Sequence, residues 1–417
     1  MKENCNDKNN ISAEKSISKI KMYSTFDLIK YILICTVGSG LLYGPKVMVT
    51  ESKKNTFIIN LALGFVSALC MMISQCYAEL KRMIPDEGGD FLYIQIFFSS
   101  IAGTIYSILT LFIIVPCCIS FFLNSLFQCH NPFNINNITS ETLQIKAIRV
   151  LSIAIIVPLG LFSSRSRIVI SSILSKVQQV GILILLITLP LACYLTHDLF
   201  KKSTIPNTNL FSLHDFLKTV STVYFSFNGF VEGNSLPSYQ IGSLHEPYLL
   251  GTFILYVIYA TITNMFLYIF RNNLSELDYF KALKFIKNKS LQIIIYKFVY
   301  TILFICPLFS SSFLVSNNIN YLVKQYKLND VIYYSSFILI GIFSYIASYI
   351  NIRLIFDCLM IMLLFSGCLS ISGLLFYNKH GLNYKCRIPY TIIVGGLCSA
   401  ILLFSLNGYY FIQSLIK

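Results

Sequence analysis

Gly38-Ser39-Gly40-Leu41-Leu42-Tyr43-Gly44-Pro45 interrupts the first apolar segment of this 417-residue chain. The glycines cost a helix conformational entropy, and Pro45 has no amide hydrogen to give it. Inside a bilayer no water satisfies a freed backbone group, so irregular backbone survives only where protein buries it or where it lines a cavity. A second interruption lies far along the chain, at Phe225-Ser226-Phe227-Asn228-Gly229-Phe230, and opens into Gly233-Asn234. Paired interruptions at corresponding places in two halves of a polytopic chain point to a substrate site near the bilayer midplane of a transporter.

The composition supports a membrane location. Hydrophobic residues make up 55% of the chain and charged residues 12%, with a mean hydropathy of +0.69. Soluble domains carry roughly 25% charged residues, so most of this chain is expected to face lipid or packed helices. The net charge of +14 is scattered over loops and the N-terminal tail, with no basic, aromatic-studded groove. That excludes nucleic acid as the expected partner and agrees with positive loops holding a membrane protein in orientation. The first 27 residues are polar and lack an apolar core, so no cleavable signal peptide is expected. Most of the 13 cysteines lie in apolar runs, without a CxxC pair at metal spacing, and the five histidines fall in loops or near segment ends. No metal site and no cofactor are expected.

About 20 apolar residues span a bilayer as a helix. Eleven candidates follow, near 28–48, 56–78, 91–125, 147–162, 168–196, 216–236, 250–270, 294–322, 331–350, 352–377 and 390–414. A turn is expected around Pro116 within the long third one. The fold class is therefore an all-α polytopic membrane protein with discontinuous first and sixth helices. The domain reading is a polar cytoplasmic tail over 1–27 and one transmembrane domain over 28–414. Within it, repeat one covers about 28–196, repeat two about 216–377, and an extra helix about 390–414. With the N-terminus inside, Lys81, Arg82, Arg165 and Arg167 fall on the cytoplasmic side, as basic residues tend to. The basic 271–293 loop is the exception, because alternation puts it outside.

At the first break, main-chain N–H groups around Gly38, Ser39, Gly40 and Leu41 and the positive end of the following half-helix suit a carboxylate. The alternative is that the glycines only allow close helix packing. At the second, carbonyls freed around Asn228 and Gly229 suit an ammonium group, and Phe225, Phe227 and Phe230 suit an apolar side chain. The plainer reading makes those phenylalanines ordinary lipid-facing or core residues. Glu232 is an ionisable group in an apolar segment, which marks function by default; it sits in the pore or near the inner mouth. Lys176, at the start of the fifth segment, either acts inside the bundle or snorkels its amine to the interface.

These residues resemble the amino acid–polyamine–organocation superfamily, most closely its L-type amino acid transporter branch. Gly38 to Pro45 is similar to that family's first-helix signature. Tyr77-Ala78-Glu79-Leu80, Ile84-Pro85, Gly88-Gly89-Asp90 and Tyr93 resemble its loop after the second helix, and Phe225–Phe230 its unwound sixth helix, with Phe230 in a tryptophan's place. The resemblance implies the LeuT/APC-type fold, a five-plus-five inverted repeat of about 11 transmembrane helices. It places Lys176 where a fifth-helix lysine replaces a sodium ion and tethers helices one and eight, with Ser310 and Ser311 among its neighbours. It also implies that Cys129, expected in an outer loop, either joins a single-pass glycoprotein subunit by a disulfide or remains a free thiol. Three departures stand out: Tyr239-Gln240 replaces an acidic pair, Asn317-Asn318 replaces a serine- and arginine-containing end, and no twelfth segment follows.

The implied function is a plasma-membrane secondary transporter and not an enzyme. It moves large neutral amino acids by alternating access without sodium, as an exchanger or facilitator. Cationic amino acids or polyamines, with proton coupling, form the alternative. An enzyme or a channel is more remote, since no intramembrane histidine and no paired aspartates appear in apolar segments.

Overall fold

The computed structural model describes residues 25–38, 40–86, 88–130, 150, 153, 164–196, 211–235, 244–270, 274, 278–350, 352–376 and 387–416. Among them the structure is helical and contains no strand. The tail over 1–24, the fourth candidate segment apart from residues 150 and 153, and Tyr239-Gln240 lie outside the described residues.

The first segment is two helices, α1 (Thr25–Thr36) and α2 (Gly40–Glu51). A 28-residue helix follows, α3 (Thr56–Met83), about 42 Å long. Asn55 caps it by accepting from the Phe57 and Ile58 amides. Lys81 and Arg82 in its last turn complement the helix dipole, and Pro85 just beyond discourages continuation. Buried Ile59, Ala62, Leu63, Val66, Cys70, Ile73 and Tyr77 recur at helical spacing and form the spine of the core.

Gly89 then turns the chain at φ +56° and ψ −146°, a conformation open essentially to glycine alone, and starts α4 (Asp90–Phe97). The third apolar segment breaks at Phe98 and Ser99, whose hydroxyl accepts from the Ala102 amide at 3.1 Å and starts α5 (Ser100–Leu109). Pro116 makes no turn. One π-helical turn, Thr110–Ile114, precedes it and runs directly into α6 (Val115–His130). A π turn re-registers the hydrogen-bond ladder, so the helix absorbs the proline without breaking.

The remaining helices are α7 (Ser164–Thr196), α8 (Leu213–Tyr224), α9 (His245–Ile269), the short α10 (Tyr279–Ala282), α11 (Lys289–Tyr326), α12 (Asp330–Ala347), α13 (Ile352–Phe376) and α14 (Tyr390–Ile416). After α8 the chain continues as a 3-10 helix of 11 residues, Phe225–Ser235. Seven stretches among the described residues are long and apolar enough to cross a membrane, and Val331–Ala347 is a shorter one. On α7, Ile173, Val180, Leu183 and Ile187 point outward as an apolar stripe, which is the face a lipid-exposed helix presents.

Helix α9 runs antiparallel to α3. His245 at its start meets Glu79 near the end of α3, and Asn264 near its end donates to Asn60 near the start of α3 at 2.9 Å. The described part of the basic 271–293 loop, residues 274 and 278–293, therefore lies at the end opposite Lys81 and Arg82. Within that loop burial pushes the Asp278 carboxyl above its ordinary range, against the Phe280 amide it accepts from and the charges of Lys46 and Lys281.

Candidate functional site

The two interruptions meet. Helix α1 lies along the 3-10 segment while α2 lies along α8, so the broken segments cross antiparallel at their breaks. The α1–α2 interruption covers residues 37–39, with Ser39 itself outside the described residues. A 3-10 run of 11 residues is long for that geometry, which seldom exceeds three or four residues and within a helix often marks a functional hinge.

Gly229 makes the closest approach. A Cβ there would lie 2.8 Å from the Thr36 amide nitrogen and 2.7 Å from the Thr36 Cβ, so only glycine lets the 3-10 backbone rest on the end of α1. Gly40, the first residue of α2, faces two hydroxyls: a Cβ would come within 3.0 Å of the Tyr259 hydroxyl and 3.3 Å of Ser226 Oγ. Gly38 packs against Pro307 and the Leu303 carbonyl of α11.

The amides at the start of α2 form the positive end of a helix inside the bundle, where the first N–H groups have no intrahelical partner. Leu41 is an exception, donating to the Gly38 carbonyl at 3.1 Å. The carbonyls ending α1 are held from two sides. The Tyr259 hydroxyl of α9 donates to the Thr36 carbonyl at 3.2 Å, and the Gln178 carboxamide of α7 reaches Val37 O at 2.5 Å, Leu33 O at 3.3 Å and Ile34 O at 3.4 Å. Tyr259→Phe keeps the ring and removes one hydrogen bond worth about 1 kcal/mol. A roughly fivefold weaker apparent substrate affinity in uptake assays is its expected outcome.

Phe227 and Phe230 are fully buried, so they are not lipid-facing. Phe227 packs on Tyr259 with ring centroids 5.7 Å apart, and Phe230 on Tyr77 at 5.9 Å. The side chain of buried Asn228 accepts from the Tyr224 hydroxyl at 2.8 Å. Phe225 and Glu232 lie on the 3-10 backbone, but their side chains are outside the described residues, as are those of Ser310 and Ser311 in α11. Cys129 stands in the last turn of α6 rather than in a loop, its side chain likewise outside them.

The structure does not bring Lys176 to the break. Its side chain is exposed on α7 beside the outward apolar stripe, while Gln178, two residues on, is buried and makes the contact with α1. Thr36, Ser226, Tyr259 and Gln178 stand at the breaks and were not among the candidates read from the sequence. For Gln178 a signal existed, a polar residue inside an apolar span.

At one end of the bundle, buried Glu79 pairs with Arg82, meets His245 Nε2 at 3.0 Å and accepts from the Arg387 amide at 2.9 Å. Buried Lys81 donates to the carbonyls of Asp86 and Asn234, both at 3.0 Å, tying the 3-10 segment to the end of α3. At the other end Lys53 pairs with Asp215 at 3.0 Å and Lys218 with Glu51, linking α2 to α8. Among the described residues no group of histidine, cysteine and acidic side chains is disposed to hold a metal.

No curated protein matches the chain. A profile of the amino acid permease family matches residues 23–275, which include both breaks and α3 between them. Two crossed, interrupted segments in a helical membrane bundle, matched over more than half their chain by that family, make this protein a member of the amino acid permease family within the amino acid–polyamine–organocation superfamily.

Proposed function

We propose that this permease carries large neutral amino acids by alternating access, without sodium, and binds them between the two breaks. The α-carboxylate takes the amides around Ser39, Gly40 and Leu41 at the start of α2, with Leu41 exchanging its bond to the Gly38 carbonyl for the substrate, and the helix terminus contributes about 1 kcal/mol. The ammonium takes carbonyls of the Phe225–Asn228 turn. Phe225, Phe227, Phe230 and the neighbouring Tyr259 favour an apolar side chain over a charged one. The observation that supports this reading is the meeting of Gly229 with Thr36 and of Gly40 with Ser226, which brings the two interrupted segments into contact.

Independence from sodium is supported by Gln178. Its carboxamide nitrogen donates to the Val37 carbonyl and lies near those of Leu33 and Ile34, and so occupies carbonyls that could otherwise face a cation. Membership of a permease family supports transport over catalysis. A plasma-membrane location, and a disulfide from Cys129 to a single-pass glycoprotein, belong to the same proposal. A shift to higher mass on non-reducing gels, lost in Cys129→Ser, checks the disulfide.

Counterflow uptake in liposomes, screened against labelled amino acids and polyamines, tests the substrate class. Leucine, phenylalanine and similar residues are expected to exchange, and preferential exchange of lysine or a polyamine would overturn the assignment. Gly40→Leu places a bulky group between the α2 amides and the two facing hydroxyls. It is expected to abolish uptake with membrane insertion intact, and unchanged transport would count against the site.

A further inference from the structure

Asp90, at the start of α4, is a carboxylate buried to 7% exposure. Ser366 Oγ of α13 donates to its Oδ2 at 2.7 Å and Ser370 Oγ to its Oδ1 at 2.9 Å. Among the described residues no lysine, arginine or histidine lies within ion-pair distance of it. The titratable groups that face it are phenols: Tyr77 from α3, Tyr93 from α4 and Tyr224 from α8. Burial without a cation disfavours the charged form, whereas the serine hydroxyls and the helix N-terminus favour it.

Ser366 makes both protonation states satisfiable. Its hydroxyl is aligned on two acceptors, Asp90 Oδ2 and, at 2.9 Å, the Leu363 carbonyl. With Asp90 ionised, both serines donate to it. With a proton on Oδ2, Asp90 donates to Ser366 Oγ, and Ser366 turns its own hydrogen to Leu363 O while Ser370 keeps donating to Oδ1. Asp90, Ser366 and Ser370 thus each keep a partner in both states, while the buried hydroxyls of Tyr77 and Tyr93 beside them have none among the described residues.

The same cluster touches the substrate break. Tyr77, facing Asp90, packs its ring on Phe230, and Tyr224, also facing it, donates to Asn228. We propose that Asp90, with Ser366 and Ser370, is a proton-binding site whose occupancy is coupled to substrate movement. This rests on the carrier function proposed above and adds a driving ion to a carrier that otherwise only equilibrates or exchanges its substrate. The proton arrives from the acidic side, is carried on the carboxyl oxygen, and leaves to the other side as water re-enters.

The full-length chain in liposomes, with potassium and valinomycin holding the membrane potential at zero, tests it with labelled leucine. An inward gradient of about one pH unit is expected to drive roughly tenfold accumulation at one proton per substrate, abolished by a protonophore. Asp90→Asn is expected to retain counterflow exchange and lose accumulation. Ser366→Ala removes a donor to the carboxylate, so the pH midpoint of uptake is expected to move toward alkaline values; this arm stands even where the asparagine variant fails to fold. Wild-type counterflow without accumulation, accumulation by Asp90→Asn, or an unmoved midpoint in Ser366→Ala would overturn the proposal and leave the carrier function standing. Absence of counterflow with leucine and every other amino acid overturns both.

Discussion

Gly229→Ala is expected to abolish uptake while the protein still inserts into the membrane. The added methyl carbon would sit 2.8 Å from the Thr36 backbone nitrogen and nearer still to Thr36 Oγ1. The hydroxyl could rotate away, but the nitrogen belongs to the last turn of α1 and cannot. Overpacking of this kind costs about 1–3 kcal/mol. The bundle buries a large apolar core and can tolerate that loss. The contact between the breaks cannot, because relief of the clash requires the 3-10 segment and α1 to separate, and with them the two halves of the site. Thr36→Gly in the same chain removes the side-chain part of the clash and leaves the backbone part. It should restore a fraction of uptake, and a double-mutant cycle would show coupling between the two positions. Wild-type uptake by Gly229→Ala, at equal surface abundance, would mean the breaks do not need this approach.

Gln178→Ala is expected to cut uptake at least about tenfold, and Lys176→Ala to change it less than about twofold. Removing the carboxamide strips the Val37 carbonyl of its 2.5 Å partner and weakens the hold on Leu33 and Ile34. A buried carbonyl left without a donor costs about 1–3 kcal/mol, and the cost falls on the turn that presents the break. Gln178→Glu should be as damaging, because its oxygens would face the carbonyls in place of a donor. Lys176 makes no comparable contact with α1, and its amine stands on the outward face of α7. The reverse pattern, an essential Lys176 and a dispensable Gln178, would restore the lysine tether that the family resemblance implies.

This contrast shows what the sequence alone carried. Gly38–Pro45 and Phe225–Phe230 were legible as breaks because glycine and proline act locally, and the apolar runs were legible because lipid imposes a length. Spacing from a family motif located a polar tether on the fifth segment but not its residue. Two positions on a helix differ by about 200° around the axis, so Lys176 and Gln178 face opposite sides, and only the packing of α7 decides which looks inward. The partners of the breaks were less legible still. Tyr259 is one tyrosine among several on α9, and its role exists only because α9 lies beside the Thr36 carbonyl, 223 positions away in sequence. The tie from Asp90 to Ser366 spans 276 positions, and no local pattern announces it. The turn expected at Pro116 failed for a local reason: one π turn let the helix accommodate the ring.

The charge pairs joining α2 to α8 have a mechanical consequence. Lys53 is 71% exposed, so its tie to Asp215 is screened by water and salt and contributes only about 0–1 kcal/mol. The second pair, Lys218–Glu51, is less exposed, and the two together join the half-helices beyond each break. Lys81, buried at the far end with its amine on Asn234, clasps the opposite edge more tightly. Uneven fastening of this kind leads us to expect that the empty form opens first toward the side where Lys53 stands.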